Sequence, residues 1–259
     1  FVGHPIKIGP DSFDDTGDQG QVFWGFYDTM PIEGNLSADF YFLRLDRANA
    51  KFAQGTGDER RNSIGTRLWD NKSALDYNFE FVYQFGKFGS GNISAWTAAS
   101  DTGYTVKELP WQPRFGIKVD VASGDQNKND KNLNTFNALF PKGSYFTENA
   151  LIGPANFIDI DPSVTIKPFN QLSLTVGDDV LWRENTQDAI YRQPNVAIAG
   201  TAGNGHHYTG HQAYVFTTWK PDPHIELTMT YVHFTVGDAI RQAGGTDSDY
   251  LGSWVSFRF

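Results

Sequence analysis

Polar and apolar residues alternate one by one over much of this chain. From Phe157 to Lys167, Ile158, Ile160, Val164 and Ile166 share one face, and Asp159, Asp161, Ser163, Thr165 and Lys167 share the other. Arg114 to Ala122 repeats the pattern, with Phe115, Ile117, Val119 and Val121 opposite Arg114, Gly116, Lys118 and Asp120. From Leu75 to Lys87 one face is wholly aromatic (Tyr77, Phe79, Phe81, Tyr83, Phe85), while the other carries Asn78, Glu80 and Gln84. A period of two is that of β-strands, whose side chains point alternately to opposite faces. No segment holds a helical period for long. The pattern predicts about eleven strands, near 21–29, 36–46, 61–70, 74–87, 91–105, 112–122, 156–167, 171–183, 209–220, 224–235 and 249–259. Most are longer than globular strands and match the roughly 9–11 residues needed to cross a bilayer at a tilt.

The connections sort by length. Met30–Asn35, Asn71–Ser73, Lys107–Trp111, Pro168–Asn170 and Lys220–Pro223 are short and rich in turn formers. Between them fall the longer, polar Arg47–Arg60, Ser123–Ala155, Glu184–Tyr208 and Gly237–Ser248, with Phe88–Ser90 a short exception. Short turns at one end and long loops at the other characterise outer-membrane barrels. The expected fold is all-β: residues 1–259 form a single transmembrane, antiparallel, up-and-down β-barrel domain, with a long extracellular loop at about 123–155.

Composition agrees. Mean hydropathy is −0.44 and 39% of residues are hydrophobic, but in a barrel wall lipid-facing and water-facing residues average out. Nowhere is there the apolar run of 18 or more residues that a membrane helix needs. Aromatics reach 15%, and cysteine is absent. A net charge of −9, without a basic stripe, argues against nucleic acid as a partner. Phe1 follows no visible signal sequence, so either one has been removed or the sequence begins within a longer protein. The last strand places Leu251, Val255, Phe257 and Phe259 on one face and ends on an aromatic, as does the terminal strand that bacterial barrel-assembly machinery recognises.

Several phrases resemble the alginate export family of outer-membrane barrels. They are Val121-Ala-Ser-Gly-Asp125, Asn134-Thr-Phe-Asn-Ala-Leu-Phe-Pro-Lys-Gly143 and Ala150-Leu-Ile-Gly-Pro-Ala-Asn156, supported by Phe52-Ala-Gln-Gly-Thr-Gly57, Tyr83-Gln-Phe-Gly86 and Leu181-Trp-Arg-Glu184. The resemblance implies a closed barrel of about eighteen strands, of which this chain supplies the C-terminal portion. It implies a Gram-negative outer membrane with its lipid and lipopolysaccharide as surroundings. It also implies an anionic polysaccharide such as alginate as the transported substrate, and N-terminal strands of the same barrel as partners.

The polar face should line the lumen. Its charged candidates are Arg44, Asp46, Arg67, Glu80, Arg114, Lys118, Asp120, Asp159, Asp161, Lys167, Asp179, Arg183, Glu226 and Arg258. Basic side chains favour anions, and neighbouring carboxylates keep binding weak enough for release; arginine's planar fork suits a carboxylate. Arg67, Arg114, Lys118, Arg183 and Arg258 are the expected ligand contacts. The same charges equally suit cross-strand bracing of the wall. Asp178 falls out of phase, towards lipid, unless a bulge near Gly177 corrects it. The connection Ser123–Ala155 is too long for a mere link. Its apolar centre, Phe136, Leu139, Phe140, Tyr145, Phe146 and Leu151, should fold over or into the mouth and gate it.

No cofactor, catalytic residue or metal site is expected. Asp125–Asp130 lacks the Gly and Glu of an EF-hand. Calcium bridging by that loop, or by Asp11, Asp14, Asp15 and Asp18, stays open. His206, His207 and His211 lack an evident acid partner. No hydrolase or phosphate-loop motif occurs. Two other functions stay open: a porin for uptake of small carboxylates or sugars, and a soluble β-domain that binds or cleaves carbohydrate.

Overall fold

In a computed structural model describing residues 1–259, the alternating segments pair into one large antiparallel sheet. The short β1 (Val2–Gly3), β2 (Ile6–Lys7) and β3 (Thr16–Gly17) are followed by β4 (Gln21–Glu33), β5 (Leu36–Phe52), β6 (Gly55–Asp70), β7 (Leu75–Phe88), β8 (Gly91–Thr105) and β9 (Arg114–Ala122). Then come β10 (Phe157–Phe169), β11 (Leu172–Trp182), β12 (Tyr191–Arg192), β13 (Val196–Ala197), β14 (Tyr208–Asp222), β15 (Ile225–Val236), the four-residue helix α1 (Asp238–Arg241) and β16 (Ser248–Phe257). Twelve strands form the sheet in the order β1-β4-β5-β6-β7-β8-β9-β10-β11-β14-β15-β16, a meander in which neighbours in space are neighbours in sequence. Eleven of the twelve are long. The sheet is open, with β1 and β16 at its edges.

Strict alternation gives the sheet two unlike faces. Phe40, Ile64, Phe81, Val119, Ile160 and Met229 stand exposed on the apolar face. The register aligns them row by row, as in Phe26–Phe42–Ile64–Tyr83–Trp96. The polar face carries the charges and receives the long connections: Ser123–Asn156 and Arg183–His207 fold onto it and bury three apolar clusters against it.

Two expectations about strand geometry are corrected. Residues 47–60 are not a loop: β5 and β6 continue through a bulge between Arg47 and Ala50 and turn at Ala53–Gln54. The segment reads as a loop because this hairpin rises beyond the apolar belt: its outer face is polar, and the bulge breaks the alternation before Ala50 and Phe52 turn inward. Three of the five connections at that end are therefore long, while two hairpins are merely tall. No bulge relieves Asp178 either. The pairing of β10 with β11 is in constant register from Ile158–Trp182 to Ile166–Leu174. Asp178 stays on the apolar face, where it accepts a hydrogen bond from His211 Nδ1 at 2.8 Å.

Candidate functional site

The polar face is built from side chains that reach across strands, and glycine makes the reach possible. Tyr41 on β5 lies over Gly65 of β6 and donates to Glu80 of β7 at 2.5 Å. Tyr214 on β14 lies over Gly177 of β11 and donates to both oxygens of Asp161 on β10 at 3.1 Å. A Cβ at either glycine would run into the tyrosine ring. Arg114 on β9 crosses Gly103 in the same manner and forks onto Asp76 of β7 at 2.6 and 2.9 Å, with Asp101 at 2.9 Å. A glycine inside a strand often marks such a close approach, and that signal was present in the sequence.

Nearest the loop end, a network missed by sequence reasoning fastens the Ser123–Asn156 connection. Arg61 is wholly buried on the polar face, with Glu59 at 2.5 Å, Gln84 Oε1 at 2.6 Å and the carbonyl of Thr135 at 3.2 Å. Glu59 also pairs with Arg47 at 2.7 Å and accepts from Asn137 Nδ2 at 3.2 Å. Gln84 in turn donates to the Asn137 carbonyl at 2.7 Å. Phe136 packs with Val82 and Ala95 of the wall. Asp125 and Asp188 join this loop to Arg183–His207 through Asp125 N–H and Thr135 Oγ1, both donating to Asp188.

Deeper lies an acidic cluster. Asp120, Asp159, Asp161 and Asp179 surround Lys118, whose Nζ is 3.7 Å from Asp120 and 3.5 Å from Asp159. Tyr145 of the loop donates to Asp120 at 2.8 Å, and the Lys118 ammonium lies 4.8 and 5.0 Å from the Tyr145 and Phe146 rings. Both oxygens of Asp159 and one of Asp179 are buried without a hydrogen-bond donor. Thr147 and Asn149 hold the far side of the loop to Gln212 at 2.6 and 2.8 Å. The segment 135–149 is thus tied to β6, β7, β9 and β14 on the polar face.

The chain's sequence matches the model of a family described as alginate export over residues 1–253. The chain belongs to the alginate export family. No curated protein matches it. Membership in this family of export channels fits an outer-membrane transport role rather than a catalytic one, and the all-β sheet is the architecture such a channel needs.

Against that family assignment, the charged candidates separate into groups. Arg67, Glu80, Arg114, Lys118, Asp120, Asp159, Asp161, Lys167, Asp179, Glu226 and Arg258 share the polar face. Arg44 and Asp46 do not. They pair with Asn62 and Arg60 on the opposite face and form their own fork at 2.9 Å. Their charge suggested the lumen, but the phase set by Phe40 and Phe42 sends them outward, above the apolar belt.

Arg183 also differs from its expected role. It is 1% exposed and its guanidinium is taken up by loop groups: the carbonyls of Asp188, Thr201 and His206, and Asn204 Oδ1. It builds the loop and faces no open space. Arg67 is bound to Asn78 at 2.6 Å and lies 3.6 Å from Asp39. At the short-turn end, Lys220 and Arg258 flank Glu226 at 3.0 and 3.7 Å, beside a cleft of about 360 Å³. Lys220 was not among the sequence candidates. In the loop, Phe136, Tyr145 and Phe146 pack inward, whereas Phe140 stays half exposed against Phe23 and Leu139 is partly covered. His211 is engaged by Asp178, and His206 and His207 assemble no ligand cluster with it.

Proposed function

We propose that this chain forms part of the wall of an outer-membrane barrel through which an anionic polysaccharide such as alginate leaves the cell by diffusion. Its apolar face meets lipid and its polar face lines the channel. The open edges support a larger, closed structure: in hydrocarbon each unpaired backbone group costs several kcal/mol, so further strands of an eighteen-stranded barrel would pair with β1–β4 and β16.

The observation that carries the reading is the loop seated on the polar face, with Tyr145 and Phe146 covering Lys118. While it is seated, its two aromatic rings cover the one cation at that depth that a polyuronate could meet. The seated loop therefore corresponds to a closed channel. Unseating it uncovers Lys118 and opens a route past Arg67 and Arg114, whose bound carboxylates keep their grip on a passing carboxylate weak. Deleting Asn134–Glu148 should raise single-channel conductance in planar bilayers; unchanged conductance removes the gating role. Added polyuronate oligomers should block the opened channel, and neutral glucans of equal length should not.

The cleft beside Lys220, Glu226 and Arg258 favours a second reading, uptake of small carboxylates or sugars, because its size suits a single small solute. Channels indifferent to polyuronate but blocked by a monomeric carboxylate would support that reading instead.

A further inference from the structure

Above the apolar belt, the outward face of the β5–β8 hairpins is basic. Arg60 and Lys87 are direct cross-strand partners on this face, and like charges placed so repel one another. Neither forms an ion pair within the protein. Asp46, on the other side of Arg60, is gripped by both Nε and Nη2 of Arg44. Asp58 accepts the backbone N–H of Asn49. Lys87 has only the neutral Asn92 Oδ1, at 2.7 Å. Lys51 adds a further exposed cation higher on β5.

Directly beneath the two cations the surface turns apolar. Two residues below Lys87 on the same face is Phe85, then Tyr83; below Arg60 come Asn62 and Ile64; Trp96 is the partner of Tyr83. Ile64, Tyr83, Phe85 and Trp96 are all exposed. Unneutralised cations seated on a ladder of exposed aromatic and aliphatic side chains complement a molecule with an anionic head and several acyl chains.

We propose that Arg60 and Lys87 form a site for a phosphorylated, multiply acylated saccharide lipid of the outer leaflet. A head-group phosphate bridges the two cations, and the acyl chains lie along the ladder Ile64, Phe85, Tyr83 and Trp96. The proposal rests on the reading of the apolar face as lipid-facing. Arginine and lysine near a phosphate-bearing surface each favour it modestly, while the ladder beneath adds apolar contacts that an inorganic ion does not make.

The test uses the intact protein purified in detergent and reconstituted into vesicles of neutral phospholipid. The vesicles are doped with bisphosphorylated lipid A or with its fully dephosphorylated form, and bound lipid is counted by native mass spectrometry. The expected result is retention of the bisphosphorylated lipid in preference to the dephosphorylated one. Arg60→Gln/Lys87→Gln should weaken that retention roughly 30-fold with insertion unchanged, and Lys107→Gln, at the opposite end of the sheet, should leave it unaltered. Three results overturn the site: equal retention of both lipids, retention undiminished in the double variant, or displacement of the lipid by millimolar inorganic phosphate. Failure of the wild-type protein to insert into vesicles overturns the membrane reading itself, and the site with it.

Discussion

Two buried polar regions lie on the same face of the sheet, and they are built on opposite terms. The Arg61 network at the loop end sets one carboxylate, Glu59, between the guanidinium groups of Arg47 and Arg61, with donors and acceptors interleaved from the wall and the loop and Arg61 Nη2 left over. The Asp120–Asp159–Asp161–Asp179 cluster below it has excess carboxylate, one cation and several oxygens with no donor. Burying charge costs least when every group is paired. The first region therefore reads as a fastening for the loop, and the second as a site that exchanges its occupants. In the function proposed above, holding the loop and passing a charged solute would fall to separate residues.

The sharpest way to break this contrast is Arg61→Met. It leaves the Thr135 carbonyl without its Arg61 donor and takes one donor each from Glu59 and Gln84, and losing one partner of a buried pair costs about 3–5 kcal/mol. Thermal unfolding in detergent should show that loss, together with faster proteolysis within residues 134–148 and a larger conductance. Tyr145→Phe removes one bond between loop and cluster, worth about 1 kcal/mol, and should raise the channel's open probability while the fold is retained. Asp159→Asn sharpens the contrast from the other side. Its oxygens have no hydrogen bond to lose, only the 3.5 Å approach of Lys118, so thermal unfolding should show a stability within about 0.5 kcal/mol of the parent or above it.

The smallest effect concerns pH. Burial raises the Asp125 carboxyl above its ordinary range, so between the unfolded value near 3.8 and the raised folded value the native loop binds more protons than the unfolded one. Stability of the loop then falls as pH rises through that window and is greatest below it. Hydrogen exchange at Thr135 and Asn137 should slow, after correction for the intrinsic rate, as pH is lowered through it. Asp125→Asn should abolish this dependence.

Much of the wall was legible because a period of two survives any amount of polar substitution on one face. The run Tyr77–Phe85 placed β7 and its lipid-side phase without ambiguity. Charge was the poorer guide. Arg44 and Asp46 were assigned inward because they are charged, although Phe40 and Phe42, four and two residues before Arg44, set the outward phase. Leu43 and Leu45 obscured it: both face inward, where Leu45 is 2% exposed, on a face otherwise expected to be polar. They can be apolar there because the loop end of this face is filled with protein. The fastening of the loop was illegible for a related reason. Glu59, Arg61, Gln84 and Asn137 lie far apart in sequence, and only the register brings them together.

The strictly consecutive strand order bears on the timing of assembly. Every wall contact joins successive strands of the sheet, so most hairpins can form as soon as their two strands exist, with little chain to close; β9–β10 and β11–β14, which span Ser123–Asn156 and Arg183–His207, are the two exceptions. The lid is different: Ala53 N–H meets Tyr191 Oη across 138 residues, and Asn137 meets Glu59 across 78. Those contacts need the β5–β6 hairpin and the distant Arg183–His207 connection in place together. The wall is therefore expected to form before the loops settle on its polar face. A strand pairing lost early would thus leave these loops without the surface they settle on.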